Sequence, residues 1–207
     1  GYRYNDIAVI TGDMDGYYRY IEEEFSKNNI PAFIDHKHNI ASNPFVDGIK
    51  AAIEIVEKDF SYETVFHLIR LGFLPIDREA ADVMENYVLQ SGRRGFKSYG
   101  RLWEKAYKGM TAEELDMVNQ AREKLVEIIR PLREELKKKK ATVREYTKAV
   151  YQFVQANNMQ RQIDDYRIEF QNQGEISRAK EYEQVYVTII TLLDRICLLY
   201  TSDAADD

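Results

Sequence analysis

One stretch of the sequence interleaves positive charges with aromatic rings between glycines. Its cations are Arg93, Arg94, Lys97 and Arg101, and its rings are Phe96, Tyr99 and Trp103. Proteins that bind single-stranded DNA combine cations for the phosphates with ring faces for the bases. The pattern also fits a surface loop whose rings pack on neighbouring helices while its arginines stay in water, and the sequence alone favours this second interpretation. The four cations are still the best candidate DNA contacts in the chain.

A second cationic run extends from Lys137 to Lys140, after a predicted helix. A compact run of ammonium groups can displace counterions from phosphates. Lysines at the end of a helix also complement the partial negative charge of its last carbonyl groups, and they are normally solvated. We interpret this run as a solvated helix end.

Two places carry residues that bind metals in other proteins. Asp13 and Asp15 alternate as ligands do at the start of a calcium loop. An Asp- and Gly-rich turn before a helix accounts for the same residues. Asp35, His36 and His38 have a spacing that fits neither a helix face nor a zinc finger, which favours a polar loop. The sequence therefore predicts no metal site.

The signatures of common catalytic sites are missing from the sequence. It contains no Gly-x-x-x-x-Gly-Lys-Ser/Thr loop, no serine elbow, and no carboxylate cluster beside a catalytic lysine. The single cysteine, Cys197, excludes a disulfide framework and a thiolate metal cluster built within this chain. We predict neither a catalytic nor a cofactor-binding residue in the 207 residues.

Composition narrows the class of protein further. A hydrophobic content of 44% is enough for a core, and a net charge of -6 argues against a surface given over entirely to nucleic acid. No apolar stretch reaches the roughly 20 residues that span a bilayer. A lone cysteine fits a reducing compartment, so we expect a cytoplasmic protein without membrane contact. Because Gly1 stands where an initiator methionine would, we expect the sequence to begin within a longer protein.

The apolar pattern of the first 42 residues predicts a small α/β unit. Residues 6–11 form a short apolar run typical of a buried parallel strand, residues 17–27 have helical apolar spacing, and residues 31–35 supply a second strand. Two short strands are too few to be stable alone, so we expect sheet neighbours elsewhere in the parent protein.

From residue 43 onward the sequence predicts helices. Their starts are marked by residues that cap helices, which are Asn43, Ser61, Asp77, Thr111 and Thr142. The last two are followed three residues later by glutamate, as in a capping box. The predicted fold class is mainly α with a small α/β start, followed by a helical bundle.

The sequence opens with Tyr-Arg-Tyr-Asn-Asp-Ile-Ala-Val-Ile-Thr at residues 2–11, followed by a predicted helix and by residues 29–35. This opening segment resembles the start of the second RecA-like domain of UvrD-type helicases. In that family an arginine reaches the nucleotide γ-phosphate where this sequence has Gly12. The departure favours AddB-type subunits of the AddAB helicase/nuclease, whose motor motifs are degenerate.

Five further segments are similar to AddB-type subunits, namely residues 43–46, 60–66, 85–89, 142–146 and 181–186. The resemblance runs from Tyr2 to Arg195. It implies a partial second RecA-like domain, with its strand-helix-strand start, at residues 1–42 and a helical inserted domain at residues 43–195. Residues 196–207 resemble translated sequencing-adapter read-through, and we interpret them as a tail.

The resemblance also implies a function. The parent would be an ATP-dependent DNA helicase/exonuclease subunit that acts with the AddA subunit in double-strand break repair by recombination. Its substrates would be double-stranded DNA ends and single-stranded DNA, and ATP, magnesium and an iron–sulfur cluster would be bound elsewhere in the complex. This segment would be a scaffold that handles DNA. Two alternatives stay open, namely a fragment of an active UvrD-like helicase and a purely helical protein-interaction module.

Overall fold

The computed structural model describes the backbone of residues 2–34 and 40–202, with side chains up to residue 198. Contacts between residues divide the chain into two units, Gly1–Asn39 and Ile40–Asp207. Within the described ranges the fold consists of nine α-helices and two short 3-10 helices, Tyr4–Asp6 and Ile40–Ser42. The first unit holds α1 (Met14–Lys27). The second holds α2 (Pro44–Glu57), α3 (Tyr62–Arg70), α4 (Arg78–Ser91), α5 (Phe96–Tyr99), α6 (Ala112–Leu136), α7 (Val143–Ala156), α8 (Met159–Asn172) and α9 (Ile176–Ser202).

The predicted strands of the first unit are not present in the described residues. Ile7 has an extended backbone, but no strand forms between residues 2 and 34, so the two strands of the predicted RecA-like start were wrong for this range, whereas the helix predicted between them is present as α1. The side chains of Ile7, Val9 and Ile10 are 61%, 69% and 94% exposed. A strand needs a neighbouring strand with which its backbone groups form hydrogen bonds. Two short strands do not make a sheet that is stable by itself.

Asp13 lies in the turn before α1 and caps that helix. Its side chain accepts a hydrogen bond from the backbone N–H of Gly16 at 2.9 Å, so Asp13 is the N-cap of α1. The helix begins at Met14, three residues earlier than the apolar spacing predicted. Gly12 is exposed in the turn that precedes it.

The prediction of a helical bundle is confirmed in the second unit, and the predicted caps lie at its helix starts. Asn43 accepts a hydrogen bond from Phe45 N at 3.0 Å, and Ser61 and Asp77 cap α3 and α4 in the same way. Thr111 and Thr142 each form a complete capping box with the glutamate three residues on. Local hydrogen bonding therefore fixes where five of these helices begin.

α6 is the helix around which the second unit is packed, because it contacts α2, α4, α5 and α7. α9 packs on α2, α7 and α8. Two contacts join the first helix of this unit to its last one. The amide of Asn43 donates to Glu181 Oε1 at 2.9 Å, and the ring centroids of Phe45 and Tyr186 are 5.8 Å apart. The bundle is therefore closed by contacts between residues far apart in the sequence.

The assignment of residues 196–207 to a tail stays a prediction. α9 continues to Ser202, and residues 203–207 lie outside the described part of the chain. Within the described residues, no helix combines the length and the apolar character needed to cross a membrane.

Candidate nucleic-acid interface

The cationic stretch found in the sequence connects α4 to α6 and contains α5. We call residues 92–108 the basic segment. It carries one acid, Glu104, and six cations, which are Arg93, Arg94, Lys97, Arg101, Lys105 and Lys108. Gly92 and Gly95 have φ angles of 65° and 83°, in the left-handed region that favours glycine. Because these two glycines flank Arg93 and Arg94, a defined turn places both arginines after α4.

Two aromatic rings of the basic segment lie in the core. Trp103 and Tyr99 are fully buried. The Trp103 ring is stacked on that of Tyr87, with centroids 5.0 Å apart and planes 8° apart, and it meets the Tyr99 ring edge-on at 5.1 Å. Neither ring has a face free for a base. Their role is to attach the segment to α4 and α6, in agreement with the interpretation that the rings of this loop pack on neighbouring helices.

Two polar residues of α6 hold the backbone of the basic segment. The Asn119 amide accepts from Trp103 N and donates to Trp103 O, both at 2.9 Å. Arg122 donates from Nη1 to Tyr99 O at 2.5 Å and from Nε to Asn119 Oδ1 at 3.1 Å. Both residues are buried, and burial lowers the pKa of the Arg122 guanidinium. We call Asn119 and Arg122 the polar clamp.

Phe96 anchors the segment on its other side. Its ring packs on Phe60 at 5.3 Å, and the guanidinium carbon of Arg133 lies 4.1 Å from its centroid. The Phe96 N–H donates to Asp59 Oδ1 at 3.3 Å, and Asp59 also forms an ion pair with Arg133 at 3.9 Å. Rings on both sides therefore fix α5 to the bundle, while the cations between them face outward.

The six cations have no acidic partners within the described ranges. Arg94, Lys97 and Arg101 are exposed, and so are Lys105 and Lys108. No carboxylate of residues 2–34 or 40–198 lies within ion-pair distance of any of the six, whereas Lys27 and Lys58 on other helices do form ion pairs. Their hydrogen-bonding capacity is therefore available to an anionic ligand.

A cleft of about 540 Å³ opens beside this segment. Its walls are the end of α4, the turn at residues 92–94, Ser98 of α5, and residues 105–107. Arg93 and Arg94 line it, whereas Lys97 and Arg101 do not. The structure thus brings two of the four predicted cations to one cleft and leaves the other two on the neighbouring surface.

The hydroxyl group of Tyr99 is buried without a hydrogen-bond partner among the described residues, and burial raises its pKa. We predict that Tyr99→Phe leaves the free energy of unfolding unchanged or raises it by up to about 1–3 kcal/mol, because an unpaired buried hydroxyl carries a desolvation cost. Urea denaturation followed by circular dichroism measures this change.

The matched control for Tyr99→Phe is Tyr87→Phe. The Tyr87 hydroxyl donates to Lys105 O at 2.9 Å, so its removal should cost about 0.5–1.5 kcal/mol. A loss of stability in Tyr99→Phe as large as that in Tyr87→Phe would mean that the Tyr99 hydroxyl has a partner.

The other candidates from the sequence have separate surroundings. Lys137 to Lys140 are all exposed, and Lys138 pairs with Glu135 at 2.5 Å. Asp35, His36 and His38 lie outside the described residues. No group of three or more His, Cys, Asp or Glu side chains is placed to hold a metal ion in the ranges that the structure describes.

Sequence reasoning missed Lys105, Tyr107 and the polar clamp. Lys105 and Tyr107 continue the alternation of cations and rings beyond Trp103, so the same pattern extended by four residues would have included them. Asn119 and Arg122 lie three residues apart on the apolar stripe of α6, beside Val118 and Ala121. Polar residues on a buried stripe need partners, and this was the available signal.

Comparison with known proteins gives a consistent set of relatives. No family model matches the chain. AddB of Lachnoclostridium phytofermentans, an ATP-dependent helicase/deoxyribonuclease subunit, is 36% identical over an alignment of 205 residues that covers 98% of this chain. Its namesake in Clostridium botulinum strain Loch Maree is 36% identical over 95% of the chain, and that of Caldanaerobacter subterraneus is 34% identical over 94%.

This chain is homologous to one segment of AddB. The resemblance to AddB-type subunits drawn from the sequence is confirmed. The chain spans 17–18% of the length of these AddB relatives. The basic segment and its polar clamp lie within the stretch that matches AddB, because the match covers nearly the whole chain.

Proposed function

We propose that this chain is a DNA-handling and scaffolding segment of an AddB-type ATP-dependent helicase/deoxyribonuclease subunit. The basic segment contacts the phosphate backbone of DNA through Arg93, Arg94, Lys97 and Arg101. The helical bundle holds these cations in place, and the reactions of the parent protein take place outside this segment. The proposal rests on one observation above all, namely a run of cations without acidic partners that is anchored to a rigid core.

Two features of the segment support phosphate binding. The cations outnumber the acids six to one over residues 92–108, although the chain as a whole has a net charge of -6. A regional excess of this kind concentrates a polyanion at one face of an acidic protein. The rings, the two glycines and the polar clamp hold the backbone in place, so little conformational entropy is lost when a strand binds.

We further propose that the parent protein works in double-strand break repair by recombination, together with the AddA subunit, at DNA ends. The names of the relatives describe one subunit of a helicase and deoxyribonuclease, which supports a partner subunit and action on DNA. The repair role, AddA and the DNA ends follow from the family resemblance. ATP, magnesium and an iron–sulfur cluster are assigned to other parts of that complex on the basis of the family resemblance. Cys197 has no other cysteine in this chain with which to hold a cluster.

The proposal is tested by removing the four charges. In the variant Arg93→Gln, Arg94→Gln, Lys97→Gln and Arg101→Gln, we expect weaker binding of single-stranded DNA and a shallower dependence of affinity on salt. Each phosphate contact contributes about 0.7 to the slope of log K against log salt concentration on single strands, so removing four such contacts should lower the slope by up to about three. Fluorescence anisotropy of a labelled oligodeoxynucleotide at several salt concentrations measures both quantities.

The matched control neutralises Lys137 to Lys140 by the same four-unit change of charge. Both variants have the same net charge, so long-range electrostatics change equally in the two. We expect the control to keep nearly the slope of the parent chain. Equal losses in the two variants would contradict a local interface at the basic segment, and a larger loss in the control would assign DNA binding to the lysine run.

A further inference from the structure

The cleft beside the basic segment is open, lined mainly by polar groups, and large enough to hold a ligand. Its volume of about 540 Å³ lies in the range of roughly 300–1,000 Å³ that small-molecule sites occupy. Three cations line it, Arg93, Arg94 and Lys105, and its ten lining residues include no aspartate or glutamate. An anionic group is therefore the ligand that this electrostatic environment favours.

The cleft also has an aromatic wall that differs from the rings in the core. Tyr107 lines it and is half-buried, unlike Tyr99 and Trp103, which are enclosed by other side chains. The centroid of the Tyr107 ring lies 6.3 Å from that of Tyr87, which also lines the cleft and is stacked on Trp103. Tyr107 is thus an accessible ring at the edge of a packed aromatic cluster.

The wall that carries Tyr107 is fixed relative to the arginines. The Tyr87 hydroxyl, at the end of α4, donates to Lys105 O two residues before Tyr107. On the other wall, Arg93 lies against Trp103, with its guanidinium carbon 5.9 Å from the ring centroid. Polar side chains of Gln90, Ser91 and Ser98 lie in the same cleft and can form hydrogen bonds with the edge of a base.

We infer that this cleft binds one nucleotide of single-stranded DNA, with its phosphate on Arg93, Arg94 and Lys105 and its base against Tyr107. The inference rests on the proposed function and deepens it, because it selects single strands over duplex. In a duplex the bases are stacked and paired, so their faces do not reach a protein ring. A single strand offers a phosphate and a free base face together.

The test compares Tyr107→Leu with Tyr107→Phe in the full chain. Leucine keeps apolar volume without a ring, and phenylalanine keeps the ring. Stacking on an aromatic side chain supports a loss of about five- to a hundred-fold in single-strand affinity for Tyr107→Leu, with duplex affinity unchanged and Tyr107→Phe close to the parent. Tyr166→Leu, at an exposed tyrosine of α8 that does not line the cleft, is the matched control and should bind normally.

A second measurement reports the stacking itself. An oligodeoxynucleotide that carries 2-aminopurine should lose fluorescence on binding to the parent chain and to Tyr107→Phe, and this quenching should be absent in Tyr107→Leu. Deoxyadenosine monophosphate should compete only weakly, because a strand adds phosphate contacts on Lys97 and Arg101. Competition by the mononucleotide as strong as that by the strand would overturn the inference in favour of a free-nucleotide site.

The results separate the inference from the proposed function. If Tyr107→Leu binds single strands as the parent does while the four-charge variant has lost affinity, the nucleotide cleft is wrong and the basic interface stands. Equal losses of single-strand and duplex affinity in Tyr107→Leu would also overturn the cleft. If neither variant changes DNA affinity, both the cleft and the proposed function fail.

Discussion

Replacing Trp103 with alanine should lower the free energy of unfolding by about 3–5 kcal/mol, the usual cost of truncating a large buried aromatic side chain. The ring is fully buried against Tyr87 and Tyr99, and its Nε1–H donates to Ser98 O at 2.9 Å. Truncation leaves a cavity where the basic segment is attached and removes one of the two hydrogen bonds to Ser98 O, of which the other comes from Arg101 N at 3.3 Å. Urea denaturation of the full chain, followed by far-ultraviolet circular dichroism, measures the loss of stability.

The adjacent residue supplies the control for Trp103→Ala. Leu102 is 64% exposed, so Leu102→Ala should change stability by no more than about 0.5 kcal/mol. A small effect of Trp103→Ala, similar to that of Leu102→Ala, would contradict the assignment of the indole ring to the core. It would instead leave Trp103 available for the base-stacking role that the sequence pattern first suggested.

Replacing Asn119 with alanine should destabilise the chain by at least about 2 kcal/mol. The amide pairs with both backbone groups of Trp103, with Leu115 O at 3.0 Å, and with the guanidinium of Arg122. Its removal leaves buried backbone groups unpaired and takes a hydrogen-bond acceptor from a buried cation. Each unsatisfied buried group costs about 1–3 kcal/mol, so the total exceeds that of an ordinary surface substitution.

Gln120→Ala is the matched control for the polar clamp. Gln120 follows Asn119 on the same helix and is exposed, and its side chain hydrogen-bonds only to Asp116, at 2.7 Å, among the described residues. Its replacement should change the free energy of unfolding by no more than about 0.5 kcal/mol. Comparable losses at the two positions, measured by urea denaturation, would show that the clamp does not hold the basic segment.

Helix starts could be predicted from the sequence because they depend on hydrogen bonds within one turn. Asn43 and Thr111 satisfy backbone N–H groups two or three residues away, so their roles follow from local spacing alone. The strands could not be predicted in this way. Residues 6–11 have the composition of a buried strand, but a strand depends on a neighbour that is distant in sequence, and none pairs with it in the described part of the first unit.

In the basic segment, the orientation of single side chains also depends on residues that are distant in the sequence. Its sequence shows which residues are cationic and which are aromatic, but not which way each ring faces. Trp103 is buried because Tyr87 of α4 and Asn119 of α6, each sixteen residues away, contact it from two sides. Tyr107 carries the same kind of ring only four residues later, and it lines a cleft because fewer side chains cover it.

The position at which DNA contacts this chain can be measured directly by photo-cross-linking. A single-stranded oligodeoxynucleotide with photoreactive thymine analogues would be irradiated in complex with the chain, and the linked peptides identified by mass spectrometry. Cross-links concentrated in residues 92–108, and abolished by excess unmodified strand, are the predicted result. Cross-links in residues 137–148 or on α8, with none in the basic segment, would contradict it.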